Sequence, residues 1–367
     1  MQKEKLVPAI RFKGFEEEWK YILIQDIISS LPYKKYINTP ISSGSYPIIQ
    51  QGSEPISGFA NGVPFIHYNN VLVFGDHTLS LYKPKSPFFV ASDGVRILQS
   101  KKGYSIEFVH KVIEKYLPDS HGYTRHFGIL KMQQGKISVI QKEQQKIGKF
   151  FSSLDLIIES QKSKLEKLQT IKQSLLNKMF ASDNQKMPDI RFKDFLDAWN
   201  HKLVKSLGYI TTGNSNTQDS DVNGAYPFFI RSDKPLKSNK YLYDEEAVIT
   251  IGDGNIGKVF HYINGKFDLH QRCYKISNFT DVLGKYFYWY FSSNFYDRVI
   301  RMSAKATVDS VRLEMIADME IYFPSNKNEQ SKISIFLDSI DSLIHSQEQK
   351  LEKLNNIKQA LLEKMFC

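Results

Sequence analysis

Two segments of the chain show a heptad pattern of apolar residues that predicts long amphipathic helices. In residues 143–180, one predicted core series is Ile147, Leu154, Gln161, Leu168 and Leu175, and the other is Phe150, Ile157, Lys164, Ile171 and Lys178. In residues 329–366, the first series recurs as Ile333, Ile340, Gln347, Leu354 and Leu361. This spacing places one apolar stripe along a helix. A helix of this length spans roughly 55 Å at 1.5 Å per residue and cannot bury its stripe alone.

The obvious packing partner of each predicted helix is the other helix, because the two are copies of one sequence. The two segments are identical at 23 of 38 positions. A chain that leaves one helix, folds a globular block and returns through another helix most simply pairs the two antiparallel. Both helices place polar residues in the same heptad, Gln161 with Lys164 and Gln347 with Lys350. Polar core residues fix the register of a coil while lowering its stability. The alternative is an ordinary coil with an imperfect seam.

A second repeat precedes each variable part of the chain. Residues 8–19, PAIRFKGFEEEW, recur at 188–199 as PDIRFKDFLDAW, with seven of twelve positions identical. The chain therefore consists of two copies of one plan, in the order motif, variable block and helix. The predicted segments are a first globular domain at 1–142, a first helix at 143–181, a second globular domain at 182–328 and a second helix at 329–367.

The two variable blocks share a pattern of strands and helices. The segment SGSYPIIQQG at 43–52 aligns with NGAYPFFIRS at 223–232, and NNVLVFGDHT at 69–78 aligns with EEAVITIGDGNIG at 245–257. Helical patterns follow at 105–117 and 283–295. We therefore predict an α/β fold in which two α/β domains form a tandem repeat, separated by two long helices that pack as an antiparallel coiled coil.

The stretch AVITIGDGNIGKVFHYING at 247–265 has the appearance of a nucleotide-binding loop. Its first three glycines fit G-x-G-x-x-G, and residues 252–258 fit seven of the eight positions of a Walker A loop, whose eighth position is Val259 here. Such loops bind phosphate where they turn into a helix. The residues after Lys258 instead favour a strand, and Asn264-Gly265 predicts a hairpin. The first block has His77 at the position of Gly254, so we interpret the stretch as a variable turn between strands.

Composition narrows the class of protein. The formal net charge is +10, from 49 Lys and Arg against 39 Asp and Glu, which favours an anionic partner. Residues 1–142 carry 18 basic and 11 acidic side chains, whereas residues 181–328 carry 19 and 18. The chain has two cysteines and no zinc-ligand spacing, so we predict no metal. With neither a signal peptide nor an apolar run of membrane-spanning length, a cytoplasmic location is expected.

Motifs of several enzyme classes are absent from the sequence. It contains no Pro-Pro pair, and hence no Asn-Pro-Pro or Asp-Pro-Pro motif of an amino-methyltransferase, and neither His-Glu-x-x-His nor Gly-x-Ser-x-Gly. The closest histidines are His121 and His126, with Arg125 beside them. They could contact base edges or phosphates, or belong to a packed loop. We predict that the chain is not itself an enzyme.

Two partly basic globular modules held apart by a stiff rod suit a protein that reads two separated stretches of one polymer. Double-stranded DNA fits best, because its half-sites lie about one turn, roughly 34 Å, apart. Two alternatives remain open. One is a coiled-coil protein scaffold whose basic blocks bind no specific sequence, and the other is an ATP-dependent enzyme that uses the Gly252 loop.

The helix ends KLEKLQTIKQSLLNKMF and KLEKLNNIKQALLEKMF, the two P-x-I-R-F-K-x-F motifs and the two variable blocks together resemble the specificity subunit of bacterial type I restriction–modification systems. The likeness covers essentially the whole chain. It implies that each variable block is a target-recognition domain for one half of a bipartite, asymmetric DNA site, and that the helices act as spacers. Implied partners are two methyltransferase subunits, which modify adenine, and restriction subunits. S-adenosylmethionine, ATP and Mg are then expected on the partners, with no cofactor in this chain.

On this interpretation, the base-reading candidates are polar side chains that can hydrogen-bond in the major groove. The candidates in the first domain are Gln50, Gln51, Ser53, His77, Tyr123 and Arg125. Those in the second domain are Arg231, Ser232, Lys234, Asn255, Arg272, Lys305 and Thr307. Partner docking is expected on the helices around the KLEKL segments, at Lys164, Lys167, Lys350 and Lys353.

Overall fold

A computed structural model describes residues 6–122, 124–181, 185–303 and 310–366. The chain divides into two compact units, the first made of Met1–Ser163 and Gln349–Cys367 and the second of Lys164–Glu348. Each unit therefore contains one variable block, the beginning of the long helix that follows it and the end of the other long helix. Among the described residues, no helix combines the length and the apolar character needed to cross a membrane.

The first unit combines short strands with helices. Its strands are β1 (Lys20–Leu23), β2 (Ile28–Leu31), β3 (Tyr46–Ile49), β4 (Ile56–Ala60), β5 (Val71–Gly75), β6 (Leu81–Tyr82), β7 (Phe89–Val90), β8 (Val95–Ser100) and β9 (Gln134–Ile137). Its helices are α1 (Ile24–Ile27), α2 (Ile106–Lys115), α3 (Phe127–Met132) and the beginning of α4 (Gln141–Met179). The sheets have the orders β1-β9, β2-β8-β5-β6 and β4-β3-β7.

The second unit repeats this order of elements. Its strands are β10 (Trp199–Leu203), β11 (Tyr209–Thr212), β12 (Tyr226–Phe229), β13 (Leu236–Ser238), β14 (Tyr243–Ile251), β15 (Phe260–Leu269), β16 (Cys273–Ser277) and β17 (Glu320–Pro324). Its helices are α5 (Val204–Leu207), α6 (Gly284–Ser303), α7 (Leu313–Ala317) and the beginning of α8 (Lys327–Met365). The sheets have the orders β10-β17 and β11-β16-β14-β15-β12-β13.

The two units differ in how the central sheet is joined. In the second unit, the ten-residue strand β15 pairs with β14 on one side and with β12 on the other, which gives a six-stranded sheet. In the first unit, the segment between β6 and β7 contains Pro84 and Pro87, which cannot donate to a strand ladder. The corresponding strands are short and belong to two separate sheets. The predicted α/β fold is confirmed in both units.

The hairpin predicted at Asn264-Gly265 is wrong. Both residues lie inside β15, opposite Glu246 and Glu245 of β14. Gly265 has a φ of +135°, a conformation that favours glycine over residues with a side chain. The Asn-Gly preference for a turn is local, and here it yields to the long antiparallel ladder with β14.

The predicted coiled coil is confirmed, but its second core series is wrong. In the first unit, the Phe151 and Phe366 rings lie 6.2 Å apart and Asp155 pairs with Lys358, so the helix segments run antiparallel there. Of the predicted second series, Phe150 is 37% exposed, Ile157 is 49% exposed and Ile171 is 50% exposed. The inward positions lie one residue later, at Phe151, Ile158, Leu165, Lys172 and Met179 and at Leu337, Ile344, Leu351, Lys358 and Met365.

Because the second inward series lies one residue later than predicted, different polar residues face the interior of the coiled coil. Lys164 and Lys350 are exposed, whereas Lys172 and Lys358 are partly buried at equivalent positions of the repeat. Gln347 is buried, as its place in the predicted first series requires, and Gln161 is partly buried. The two lysines that occupy the inward series carry ion pairs in their own units.

A cluster of four charges ties α2 to the coil in the first unit. Lys358 Nζ lies 2.6 Å from Glu114 Oε1 and 2.9 Å from Asp155 Oδ1, and the buried Lys111 Nζ lies 2.6 Å from Asp155 Oδ2. Burial opposes the ionisation of Glu114 and Asp155, but the two lysines outweigh it and lower the pKa of both carboxyl groups. The cluster is therefore charged and balanced at neutral pH.

In the second unit, Lys172, the repeat counterpart of Lys358, has a different set of partners. Lys172 pairs with Asp341, the repeat counterpart of Asp155. Its ammonium group also lies 5.0 Å from the centre of the Trp289 ring of α6, within the range of a cation–π interaction. Trp289 Nε1 in turn donates to Asp338 Oδ1 at 3.0 Å. An aromatic side chain thus takes the place that a second lysine has in the first unit.

The repeated motif anchors the start of the long helix that belongs to its own block. The Arg11 guanidinium donates to Glu143 of α4, and Arg191 donates to Glu329 of α8, each with an Nε–Oε1 distance of 2.6 Å. Both glutamates are completely buried. The motif backbone also reaches the end of the other long helix, with 2.9 Å bonds from Ile10 N to Lys364 O and from Ile190 N to Lys178 O. Each motif therefore connects two helix ends within its unit.

We expect Lys358→Met to destabilise the first unit by about 1–3 kcal/mol, because it leaves two partly buried carboxylates with one lysine between them. The partial exposure of the cluster keeps the loss below that of a fully buried pair. Urea unfolding of the full chain measures it. Lys353→Met, on the exposed face of the same helix, is the matched control and should change the free energy of unfolding by less than about 0.5 kcal/mol. Equal effects of the two substitutions would contradict a stabilising role for the cluster.

Candidate nucleic-acid interface

The first unit brings three of its predicted base-reading residues into one cluster. Gln51 Oε1 accepts a hydrogen bond from the His77 backbone N–H at 3.1 Å, and His77 Nδ1 lies 3.0 Å from the Thr124 carbonyl oxygen. The next residue, Arg125, donates to Asp93 at 2.7 Å. These residues follow β3 and β5, precede β8, or lie just before α3. The cluster therefore stands where several rigid elements end.

Exposed charge characterises this cluster. The side chains of Arg125 and Asp93 are 51% and 62% exposed. The hydrogen bond from Arg125 lowers the pKa of Asp93, and the charges of Arg125 and His77 act in the same direction. Because solvent screens such a pair, it contributes little to stability. The Arg125 side chain is therefore available to exchange Asp93 for another acceptor.

The buried carboxylate of Asp76 fixes the backbone next to this cluster. The Asp76 side chain is 1% exposed. Its Oδ2 accepts two hydrogen bonds from Arg96, both at 3.1 Å, and its Oδ1 accepts one from the Phe127 backbone N–H at 2.7 Å. The Asp76 carbonyl oxygen accepts from His126 N at 2.7 Å. Asp76 thus fixes the start of α3 and the loop that carries Arg125.

The remaining candidates of the first unit are less constrained. Gln50 donates to the Glu54 carbonyl oxygen at 2.8 Å within the turn after β3, and Ser53 is exposed in the same turn. Tyr123 lies outside the described residues. Of the two histidines, His126 is fully buried and His121 is exposed, with His121 N donating to His126 Nε2 at 3.1 Å. His126 therefore belongs to the packed loop.

In the second unit, two of the predicted arginines share one carboxylate. Arg231 Nη1 lies 3.2 Å and 3.1 Å from the two carboxylate oxygens of Asp253, and Arg272 Nη1 lies 2.7 Å from Asp253 Oδ2. Burial opposes the ionisation of Asp253, but the hydrogen bonds from Arg272 and Arg231 outweigh it and lower its pKa. The group of three side chains therefore carries one net positive charge.

The backbone around this group is fixed by the strands. Arg231 follows β12, Asp253 follows β14 and Arg272 precedes β16. Gly252 N donates to the Arg272 carbonyl oxygen at 2.8 Å, and Arg272 N donates to His270 Nδ1 at 3.1 Å. Burial and the neighbouring Arg231 lower the pKa of His270. A neutral His270 accepting from Arg272 N fits this environment.

The other candidates of the second unit lie on its turns. Ser232 Oγ donates to the Lys234 carbonyl oxygen at 2.6 Å, and the Ser232 carbonyl oxygen lies 3.2 Å from His261 Nε2. Asn255 is exposed in the glycine-rich turn. Lys305 and Thr307 lie outside the described residues.

The glycine-rich turn joins two strands, as the sequence predicts. It connects β14 to β15, and no helix begins after it. Gly254 and Gly257 have φ values of +82° and +70°, which favour glycine at both positions. A Cβ added to Gly257 would lie 3.1 Å from the Tyr296 Cα atom of α6, so this glycine also permits close packing. The glycines thus have a structural explanation without a bound phosphate.

Sequence reasoning missed the carboxylates that position the arginines. Asp76, Asp93 and Asp253 were not among the candidates, although each holds an arginine within its unit. The available signal was the Gly-Asp pair that ends β5 and recurs after β14, at Gly75-Asp76 and Gly252-Asp253. An acidic residue retained in both copies of a divergent block indicates a partner for nearby cations, and this signal covers Asp76 and Asp253 but not Asp93.

Comparison with known proteins identifies a family domain in the second half of the chain. Residues 197–356 match the family model described as the type I restriction modification DNA specificity domain. The type I restriction enzyme EcoDI specificity subunit of Escherichia coli is 26% identical over 159 residues. Residues 197–356 therefore form a DNA specificity domain of the type I restriction–modification family. The EcoDI match covers 43% of this chain and 35% of the relative, so the matched segment spans about a third of the relative's length.

Solved structures share the fold of this chain. The crystal structure of a type I system S subunit from M. genitalium aligns with a TM-score of 0.73 at 14% identity, covering 98% of this chain and 99% of that one. A second structure, from work on complex assembly and conformational transition of the type I R-M system, aligns with a TM-score of 0.50 at 11% identity, covering 95% and 97%. At these identities the likeness establishes the fold, two α/β domains with long paired helices.

We expect Asp76→Asn to destabilise the first unit by about 2–4 kcal/mol, since it removes the buried negative charge that Arg96 requires. Asp93→Asn makes the same chemical change on an exposed pair, which solvent screens, and should alter the free energy of unfolding much less than Asp76→Asn does. Chemical denaturation of both variants compares them directly. A loss of similar size in both would show that Asp76 does not act as a buried support.

Proposed function

We propose that this chain is the specificity subunit of a type I restriction–modification system. In this proposal it reads a bipartite, asymmetric site in double-stranded DNA, with one variable block on each half-site. One observation carries the proposal: corresponding strand ends in the two units bear polar side chains of different identity. Gln51 and Arg231 occupy aligned positions after β3 and β12. Two copies of one fold with different hydrogen-bonding groups at the same place suit the recognition of two different base sequences.

The charge distribution supports a DNA partner in both units. Residues 1–142 have a net charge of +7, from 18 basic and 11 acidic side chains, which favours contact with phosphates. Residues 181–328 are almost neutral overall, with 19 and 18. Their exposed basic side chains Arg231 and Arg272 nevertheless share a single carboxylate, Asp253. The second block thus concentrates positive charge locally at the proposed interface.

The helices offer a separate surface for partner subunits. The apolar members of the predicted second core series of the first helix are exposed, and so are the apolar residues at the same repeat positions of the second helix. We call these six residues the outer apolar row. Its members in the first unit are Phe150, Ile157 and Ile357, and those in the second unit are Phe336, Leu343 and Ile171. Apolar side chains exposed in a regular row favour a packed partner. Two equivalent rows fit two copies of one methyltransferase subunit.

The lysines predicted for docking lie near these rows in sequence. Lys164 and Lys167 in the second unit and Lys350 and Lys353 in the first unit are all exposed. They give each apolar row a basic rim, which suits an acidic margin on the partner. In this proposal the methyltransferase subunits supply S-adenosylmethionine chemistry, restriction subunits supply ATP- and Mg-dependent steps, and the complex acts in the cytoplasm. The specificity subunit supplies recognition and no catalysis.

The recognition function predicts adenine methylation at one bipartite motif when the chain is produced with its methyltransferase subunit. Exchange of residues 20–142 for the corresponding block of a relative should change one half-site and leave the other unchanged, because each block contacts its own stretch of the groove. Methylome sequencing of both strains measures this. Methylation that follows no sequence motif would favour the alternative of a scaffold with non-specific DNA affinity.

Partner docking on the outer apolar rows predicts stepwise loss of methyltransferase subunits. Ile157→Asp or Leu343→Asp should each reduce the bound copies from two to one, and the double variant should bind none, since a buried unpaired carboxylate opposes association. Native mass spectrometry counts the copies. Gln169→Asp, at an exposed position two residues from Ile171 and so on a different helix face, should retain both. Retention of two copies by the double variant would place docking elsewhere.

A further inference from the structure

Arg231, Asp253 and Arg272 form a group whose geometry goes beyond general DNA affinity. Their side chains are 45%, 19% and 60% exposed, respectively. The carboxylate lies deeper than the two guanidinium groups that it binds. Each arginine uses only Nη1 for this contact. Within the part of the chain that the structure describes, the remaining guanidinium N–H groups of both arginines are left for a ligand.

We propose that this group reads a G·C base pair in the half-site bound by the second unit, an inference that rests on the proposed DNA-recognition function. Guanine presents two acceptors, O6 and N7, in the major groove, and an arginine fork matches them with two parallel hydrogen bonds. Asp253 is the positioning residue, because it restricts the plane of each guanidinium before DNA arrives. An arginine held in this way loses less side-chain entropy on binding.

The carboxylate argues for base reading over phosphate binding. A phosphate contact requires positive charge but no fixed orientation, and a neighbouring carboxylate would repel the phosphate. At a G·C pair, the same carboxylate is favourable, since the cytosine N4 amino group is a donor that Asp accepts. Asp253 therefore suits a base pair that offers acceptors to arginine and a donor beside them.

The first unit provides an internal contrast. Its corresponding carboxylate, Asp76, is 1% exposed and is occupied by Arg96 and the Phe127 backbone N–H. The residue aligned with Arg231 is Gln51, whose Oε1 accepts from His77 N. The arrangement of two exposed arginines on one carboxylate is thus a property of the second unit. The requirement for guanine at this point should belong to one half-site only.

The test uses the chain in complex with its methyltransferase subunit and a duplex that carries the motif found by methylome sequencing. Each guanine of the second half-site is replaced in turn by 7-deazaguanine, which keeps Watson–Crick pairing but lacks the N7 acceptor. We expect one replacement to weaken binding about 5- to 20-fold, in the lower part of the range for loss of a bidentate contact, because guanine O6 still accepts one of the two hydrogen bonds. In Arg231→Ala or Arg272→Ala, the same replacement should have little further effect.

Two further variants separate positioning from simple structural support. Asp253→Asn should reduce the discrimination against 7-deazaguanine while affinity for unrelated DNA stays equal or rises, because a negative charge is removed. Lys202→Gln removes one positive charge from β10, where Lys202 forms an exposed ion pair with Asp281, and should retain the discrimination. If Asp253 only stabilised the fold, Asp253→Asn would weaken binding to both DNAs and leave the response to 7-deazaguanine unchanged.

Two outcomes distinguish this inference from the function on which it rests. A second half-site without a G·C pair, or one whose guanines all tolerate 7-deazaguanine while the complex still methylates its motif, would overturn the guanine assignment and leave the proposed function intact. Methylation without any sequence motif would contradict the proposed function itself.

Discussion

The buried Arg–Glu pair at the first turn of each long helix is the constraint on which the rest of the structure depends. Glu143 and Glu329 are completely buried, and each forms an ion pair, with Arg11 and Arg191 respectively. Removal of either arginine would leave a buried carboxylate without its cationic partner, which is strongly destabilising. A negative charge at a helix N-terminus is also favoured by the helix dipole. Each pair joins the motif before a variable block to the helix after it, so the two ends of the block are held together.

This closure explains how two copies of one plan diverge without losing the plan. Between the fixed ends, the first block forms a four-stranded and a three-stranded sheet, and the second forms one six-stranded sheet. The difference arises from Pro84 and Pro87 in one copy and a continuous β15 in the other. Neither change alters the Arg–Glu pair or the helix starts. Variation is thus confined to the part of each unit where recognition is proposed.

Much of this organisation could be predicted from the sequence because it is carried by repetition and periodicity. The strands after the two Tyr-Pro pairs, the helices α2 and α6 and the glycine-rich turn all lie where the patterns place them. The predictions of the second core series and of the hairpin at Asn264-Gly265 were wrong because the residues there were equally consistent with two local structures. Phe150 and Phe151 are both apolar, so spacing alone did not decide which one faces the other helix. Asn264-Gly265 favours a turn, and only the pairing with β14 overrides it.

The candidate site was less predictable for a different physical reason. A sequence displays hydrogen-bond donors, acceptors and cations individually. The orientation of those groups depends on carboxylates distant in the chain, such as Asp93 for Arg125, 32 residues away. Pairings of this kind follow from which strand ends meet, and periodicity does not encode them. Three-dimensional contacts were therefore needed to recognise Asp253 as part of the site.

The same Gly-Asp element consequently serves two purposes in the two units. Asp76 is buried, and its loss would leave Arg96 uncompensated, so the chemistry there is fixed by stability. Asp253 is partly exposed and binds side chains that are themselves about half exposed. Substitutions at such exposed positions change folding free energy by only about 0.5 kcal/mol in most cases. Arg231 and Arg272 can therefore be exchanged for other base-reading side chains while the strands that present them remain folded, which is the physical condition for a recognition surface to acquire a new target.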